Sequence, residues 1–340
     1  MKFYNSNKCE GCGLPKQNKD INKLGYTSKL ENKFCQNCFR SKNYGEFSND
    51  FSSFKNEKKY LNEISGSVLM VIDVLNPYET IIPNINFFIN KKNLTILVNK
   101  IDILPKSISH EKIINWIIDI LYLKKIEFSQ ISLISTIKKN NIDAVANFIL
   151  KNENEISVIG YSNVGKSSFI KALFNSLNED VDNLITNSIG TTKNTLELNF
   201  QNKKIKDYPG FYLKGNYQNI MTINQLKETN PNKEIKVKSF QLSSFQSIFI
   251  GDYARFNIKN SDFKSGYQFT FSNLILLKRK KYVKNNDKNF IIHNIKHKNK
   301  IRYDLIISGL GIIHFKSEQQ ELEIELPKGV NFNLIKSLYQ

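Results

Sequence analysis

Gly160-Tyr161-Ser162-Asn163-Val164-Gly165-Lys166-Ser167 fits the pattern G-x-x-x-x-G-K-[ST] without a mismatch. Immediately upstream, Glu155–Ile159 ends in an apolar Ile-Ser-Val-Ile run with the character of a short buried strand. Downstream, Phe169, Ile170, Leu173, Phe174 and Leu177 recur at helical spacing. Strand, glycine turn and helix are the context that gives the pattern meaning. Glycines let the backbone wrap a phosphate with successive N–H groups pointing inward, and the helix N-terminus adds positive potential. Residues Gly160 to Ser168 then form the cradle, Lys166 reaches the β- and γ-phosphates, and the Ser167 hydroxyl ligates Mg²⁺. The bland alternative, a glycine turn with Lys166 on the surface, is disfavoured by the flanks.

Working outward, Val68–Val74 and Leu94–Val98 are further buried-strand runs. The second leads directly into Asn99-Lys100-Ile101-Asp102, an N-K-x-D match, followed by the helical pattern Ile113, Ile117, Ile120, Leu121. An Asp at this position can accept both N1–H and the exocyclic N2–H of guanine, a donor pair that adenine lacks. Asn99 and the aliphatic stem of Lys100 would fix the loop and cover the base. Ile131–Ile134 predicts another strand, ending in Ser135-Thr136 before a helix around Ile142–Leu150. This resembles the serine loop whose backbone N–H reads the guanine O6. After the phosphate loop, Ser188-Ile189-Gly190-Thr191-Thr192 offers a threonine for Mg²⁺ and the γ-phosphate, ordered only when the triphosphate is bound. Asp207-Tyr208-Pro209-Gly210 supplies D-x-P-G, with Asp207 for the Mg²⁺ shell and the Gly210 N–H for the γ-phosphate.

The order of these motifs is unusual. GTPases ordinarily run phosphate loop, threonine switch, D-x-x-G, N-K-x-D, serine loop; here the last two come first. A parallel sheet needs its strands adjacent in space, not in chain order, so a circular permutation preserves the site. The cut falls after D-x-P-G, so this switch leads through Phe211–Asn232 into the C-terminal region.

All four cysteines form two C-x-x-C pairs, Cys9/Cys12 and Cys35/Cys38, separated by 22 residues. Such symmetric spacing suits a tetrahedral, structural Zn²⁺ site whose metal supplies much of the folding energy. An iron–sulfur site or a redox pair is the alternative. Residues from about Arg40 to Glu63 are polar and predict a tether with a possible short helix.

The formal charge of +18 and pI near 9.5 predict a polyanionic partner. Compositional drift would scatter the lysines, yet Lys278 to Arg302 holds ten Lys/Arg against one acid, Asp287, with Tyr282 and Phe290 interleaved. Lysines pair with phosphates and aromatics offer stacking surfaces, so this cluster predicts RNA binding, with a solvated loop as the alternative. His293 and His297 are expected to be phosphate-proximal or exposed and not metal ligands. From about Lys233 the pattern predicts short strands at Phe245–Ile250, Ala254–Ile258, Tyr267–Phe271, Leu274–Leu277, Phe290–Ile292, Leu305–Ile307 and Ile312–Phe315, and so a small antiparallel sheet or barrel. No charged-then-apolar leader and no long apolar run is present, so a soluble, cytoplasmic monomer without a membrane partner is expected.

Together these motifs resemble the circularly permuted GTPases of the YqeH family, and Ser247-Ile-Phe-Ile-Gly-Asp-Tyr-Ala-Arg255 and Ser308-Gly-Leu-Gly-Ile312 extend the likeness toward the C-terminus. The expected architecture is a four-cysteine zinc domain over 1–45, a permuted α/β GTPase domain over 46–230 and a basic β-rich domain over 231–340. The resemblance implies GTP/GDP and Mg²⁺ as ligands and a role in maturing the small ribosomal subunit or its rRNA precursor. Ile189 and Tyr208 depart from the family's usual Pro and Thr. Phe211 stands where Ras-type enzymes carry the water-orienting glutamine, so intrinsic hydrolysis is expected to be slow. Asn163 resembles the asparagine that holds K⁺ near the phosphates in some GTPases, although it also suits a tight turn. Lys166, Thr192, Gly210 and Asn163 are thus the expected catalytic set. Two other readings are a GTP-sensing RNA-binding module with negligible catalysis and a phosphate-loop kinase, the latter disfavoured by Asn99-Lys100-x-Asp102.

Overall fold

The computed structural model describes residues 16–19, 26–33, 57–89, 93–152, 154–177, 195–200, 202–282, 287–298 and 300–338. The cysteines and the Ser188–Thr192 switch lie outside them. The chain divides into two compact units, the first comprising Met1–Asp73, Thr80–Asn99 and Glu127–Leu213, the second Val74–Glu79, Lys100–Ile126 and Lys214–Gln340.

The first unit is built on a six-stranded sheet of β1 (Ser67–Asp73), β2 (Leu94–Asn99), β3 (Gln130–Leu133), β4 (Glu155–Ile159), β5 (Leu196–Phe200) and β6 (Lys203–Asp207). Their spatial order is β3-β2-β1-β4-β6-β5. All neighbours are parallel except β5–β6, a hairpin edge. Strands β1, β2 and β4 are buried along nearly their whole length, which is why they read as continuous apolar runs and not alternations. Leu69, Val71 and Leu97 of the sheet pack with Val145 and Ile149 of the Ile142–Asn152 helix and with Phe169, Leu173 and Phe174 of the Lys166–Ser176 helix. The expected strands and helices of this unit form within one or two residues of their predicted bounds, and the short helix expected in the tether is Glu57–Glu63.

The permutation is visible in the sheet. Strand β4, which feeds the phosphate loop, lies between β1 and β6, although β1 to β3 precede it in the chain.

The second unit contains two five-stranded antiparallel sheets. One orders β16 (Phe332–Lys336), β13 (Arg302–Ile307), β14 (Gly311–Lys316), β10 (Ser265–Phe271) and β7 (Lys238–Leu242). The other orders β11 (Leu277–Lys281), β8 (Gln246–Ile250), β9 (Ala254–Ser261), β15 (Gln320–Pro327) and β12 (Phe290–Asn294). Phe256 of one sheet meets Tyr267, Phe269 and Phe315 of the other edge-on or tilted, with ring centroids 5.3–6.3 Å apart, so an aromatic layer joins the sheets. The His110–Leu123 helix also belongs to this unit: it is N-capped by Ser109 and anchored where Trp116 Nε1 donates to Lys336 O at 3.0 Å.

Two expectations change here. Leu274–Leu277 is mostly a turn: Leu274 and Leu276 are exposed, only Ile275 is buried, and the strand begins at Leu277. A four-residue apolar run cannot by itself distinguish a strand from a turn with one anchored side chain. Conversely, β7, β15 and β16 have too few β-branched positions to stand out in the sequence.

Candidate functional site

Strand β4 delivers the chain to Gly160, where a Cβ would lie 2.6 Å from Val71 O, so only glycine lets the loop leave the sheet this close to β1. The loop turns at Asn163, in the left-handed region at φ 69°, and again at Gly165, at φ 96°. Gly165 caps the Lys166–Ser176 helix without any side-chain hydrogen bond, so the first N–H groups of the helix are left for an anion. Lys166 is 2% exposed, a cation sunk at the mouth of this turn. A loop of two tight approaches, a bare helix N-terminus and a buried lysine fits a polyphosphate, for which Lys166 would be the counter-charge and Ser167, next in the chain, would offer a hydroxyl to Mg²⁺.

Asn99 ties the permuted halves together. It ends β2, is 1% exposed, donates from Nδ2 to Val164 O at 2.9 Å and accepts from Thr136 N at 3.3 Å. A single carboxamide therefore joins the N-K-x-D segment, the serine loop and the phosphate loop. The same contact explains Gly165, because a Cβ there would stand 2.3 Å from Asn99 Nδ2. Ser135 shapes its own turn, accepting from Lys138 N at 3.0 Å and donating its N–H to Asn140 O at 3.3 Å. Lys100 follows at φ 67°, and Asp102 sits in a 3-10 turn, Ile101–Ile103.

The D-x-P-G stretch is stitched to the phosphate loop. Asp207 pairs with Val158 one strand over. Phe211 N donates to Gly160 O at 3.1 Å and Ser162 N to Phe211 O at 2.7 Å, a parallel bridge capped by Tyr161 and Phe211 rings in edge contact. Gly210 approaches Ser162 so closely that a Cβ would meet its Oγ at 2.9 Å. Phe211 is 3% exposed, so its ring is a packing group and not a substitute for a water-orienting side chain.

The departure at Tyr208 has a physical account. Its ring is 2% exposed, edge-on to Tyr60, and its hydroxyl donates to Glu63 O at 2.7 Å, fastening the Glu57–Glu63 helix against the end of β6. Burial raises the Tyr208 hydroxyl above its usual range. Nearby, Lys206 bonds Glu155 at 2.6 Å and Ser65 Oγ at 2.7 Å. The Lys206 hydrogen bond holds the Glu155 carboxyl below the usual carboxylate range. Sequence reading marked Tyr208 only as a departure and missed the Lys206–Glu155 pair, since neither of its members has a known chemical duty.

In the second unit the basic segment does not form one strip. Lys278 to Lys281 lie on edge strand β11, whereas Arg302 opens β13 in the other sheet. Lys280 and Arg255 sit over the Phe249 ring at 4.5 and 4.6 Å. Tyr282 bonds Glu323 at 3.4 Å and is half-buried. Among the described residues of the C-terminal sheets, Phe245 and Phe263 are the exposed aromatics instead. His293 and His297 are half-buried and not exposed: His293 lies edge-on to Phe332, and His297 bonds Ser317 and Gln320 O. Burial pushes both below the usual imidazole value.

A mostly parallel sheet carrying this loop, with β4 between β1 and β6, has the layout expected of a P-loop GTPase domain in permuted order. In agreement, residues 155–248 match the family model described as "50S ribosome-binding GTPase". The chain is 28% identical to the "Uncharacterized protein YqeH" of Bacillus subtilis over 371 aligned positions, covering 97% of this chain and 98% of that protein. The YqeH likeness read from the sequence is therefore borne out along nearly the whole chain. It is 21% identical to "NO-associated protein 1, chloroplastic/mitochondrial" of Arabidopsis thaliana, over 69% of this chain and 49% of that one. Among solved structures, YjeQ from Thermotoga maritima matches at 20% identity, covering 44% of this chain and 49% of that one, with a TM-score of 0.28, too low to bear on the fold.

Proposed function

We propose that the chain is a GTP-hydrolysing switch that binds rRNA or a pre-ribosomal particle and assists assembly of the small ribosomal subunit. The observation that carries the nucleotide half is the Asn99 carboxamide, bonded at once to the phosphate loop and the serine loop. Asp102 selects guanine, Lys166 and the helix N-terminus hold the phosphates, and Ser167, Asp207 and Thr192 complete the Mg²⁺ shell. The Gly210 N–H senses the γ-phosphate from a turn already bonded to the loop, so loss of that phosphate strains the Gly210–Phe211 connection, a few residues before the chain enters the second unit. Cys9, Cys12, Cys35 and Cys38 hold a structural Zn²⁺. The ribosomal half rests on the YqeH resemblance and on the +18 charge. Asp102→Asn tests the nucleotide half: preference should move from guanosine to xanthosine triphosphate, because an amide can donate where the xanthine ring presents an acceptor. Unchanged preference would refute it.

Because the matched family model's description names the 50S subunit, sedimentation with separated subunits under GTP analogue, GDP and no nucleotide is the test of the partner. Co-sedimentation with the small subunit is expected; co-sedimentation with the large one alone would overturn the assignment. The buried Phe211 favours slow intrinsic turnover, and a GTP-sensing module with negligible catalysis is the second reading. Potassium at Asn163 would supply charge that an arginine finger supplies elsewhere. Since Asn163 is left-handed, Asn163→Gly is the discriminating variant: it keeps the turn and removes the carboxamide. K⁺ should stimulate the native protein over Na⁺ and leave the variant unaffected.

A further inference from the structure

The sheet β16-β13-β14-β10-β7 carries a groove of about 420 Å³ that the sequence does not advertise. Register places its polar wall. Ser239, Gln268 and His314 are cross-strand partners, as are Gln241 and Gly266, so they share one face, while the alternate residues Tyr267, Phe269 and Phe315 enter the aromatic core. Ser239, Gln241 and Gln268 are exposed, which leaves two carboxamides standing free of the core on adjacent strands. Lys264, Arg302 and Lys316 line the same groove with a single carboxylate, Glu318, held by Lys316 at 3.5 Å and Ser265 at 3.2 Å. The floor is rigid: His314 is 4% exposed, its Nδ1 2.6 Å from Asp304 and its Nε2 2.8 Å from Thr270. That chain has the order of a hydrolytic triad, but the Thr270 hydroxyl is buried and absent from the groove lining, so the network is scaffold.

At the rim, Phe263 directly precedes Lys264 and is 65% exposed. Its turn is fastened to the one carrying exposed Phe245 through Ser244 Oγ, which donates to Ser261 O and accepts from Ser261 N, both at 2.9 Å. Cations for phosphates, carboxamides for a base edge and a fixed aromatic for stacking are the three components of single-strand recognition. We infer that this groove reads an unpaired RNA base, with Gln241 and Gln268 on the base edge, Arg302, Lys316 and Lys264 on flanking phosphates and Phe263 stacking a neighbour. It rests on the proposed RNA-binding role and divides it: β11 grips without reading, and the groove reads. Its open, cationic form suits a base presented by a polymer, and Arg302 makes it continuous in sequence with the basic segment.

The test uses the full chain and fluorescence anisotropy with labelled oligo(A), oligo(C) and oligo(U) of about ten nucleotides. One oligomer should bind at least about five-fold tighter than the weakest. The Gln241→Ala/Gln268→Ala variant should reduce that ratio to about two or less while leaving the weakest oligomer's affinity and salt dependence intact. Lys278→Ala/Lys280→Ala should weaken all three alike and preserve the ratio. Equal binding of all three, or a preference that survives the glutamine variant, overturns the groove assignment while leaving RNA binding in place. Absence of binding to any oligomer overturns the groove too. Failure of the broader reading is separate and appears as loss of subunit co-sedimentation.

Discussion

The two units convey their chemistry in opposite ways. In the first, each recognisable peptide has one duty, and a parallel sheet brings the strand ends that bear them to one place. In the two antiparallel sheets of the second, no short peptide has an assigned chemical duty, and side chains meet because antiparallel register sets them opposite one another: His314 beside Gln268, Asp304 beside His314. A motif survives permutation because it travels whole. A register-built cluster has no such unit and cannot be spelled in advance.

The largest break in this comparison should come from Asp304. Its carboxylate, 0% exposed, accepts from His314, Ser337 and Leu338 N and faces no water. Asp304→Ala strands three buried donors and should destabilise the second unit by about 3–5 kcal/mol. Equilibrium urea unfolding followed by Trp116, the sole tryptophan, reads that unit directly.

Next is Asn99, the equivalent point in the first unit. Asn99→Asp keeps an acceptor for Thr136 N but turns the donor to Val164 O into an oxygen facing an oxygen. Destabilisation of about 2–4 kcal/mol is expected, with a larger loss than Asn99→Ala, which removes the bonds without adding a buried charge. Release of a fluorescent guanine nucleotide on urea titration measures it. If Asn99→Asp proved the milder change, the carboxamide bridge would not be what joins the permuted loops.

How much was legible follows the same division. Glu155–Ile159 and Leu94–Asn99 were readable because burial on both faces forces unbroken apolar runs, and the Lys166–Ser176 helix because its apolar residues recur on one face at helical spacing. The motif residues were readable because phosphate and guanine chemistry admits few alternatives. Tyr208 was visible only as a deviation; its duty, holding the Glu57–Glu63 helix through Glu63 O, depends on a segment more than a hundred residues earlier in the chain. The basic cluster misled in part, since proximity in sequence placed Lys278–Lys281 and Arg302 on different sheets. Gln241 and Gln268 carried no signal, because an exposed glutamine on a strand resembles any solvent-facing residue.

The smallest effect separates the units by pH, and its sign follows from the direction of each shift. Burial lowers His293 and His297 in the folded second unit, so protons bind the unfolded chain first. Their contribution is whole above the unfolded value of about 6.5 and is lost as pH falls from there toward the folded values. In the first unit the folded Glu155 is depressed by Lys206, so its contribution is whole above the unfolded value of about 4.3 and disappears only as pH falls through its lower folded value. The stability read by Trp116 should therefore begin to fall below about pH 6.5, above the range in which Glu155 contributes to the slope of the first unit. His297→Gln should flatten the upper limb for Trp116 and leave nucleotide release unchanged. Glu155→Gln should act only at the acid end, and weakly, because its bridge to Lys206 is partly open to solvent. A common onset for both probes would mean that the units do not respond to protons independently.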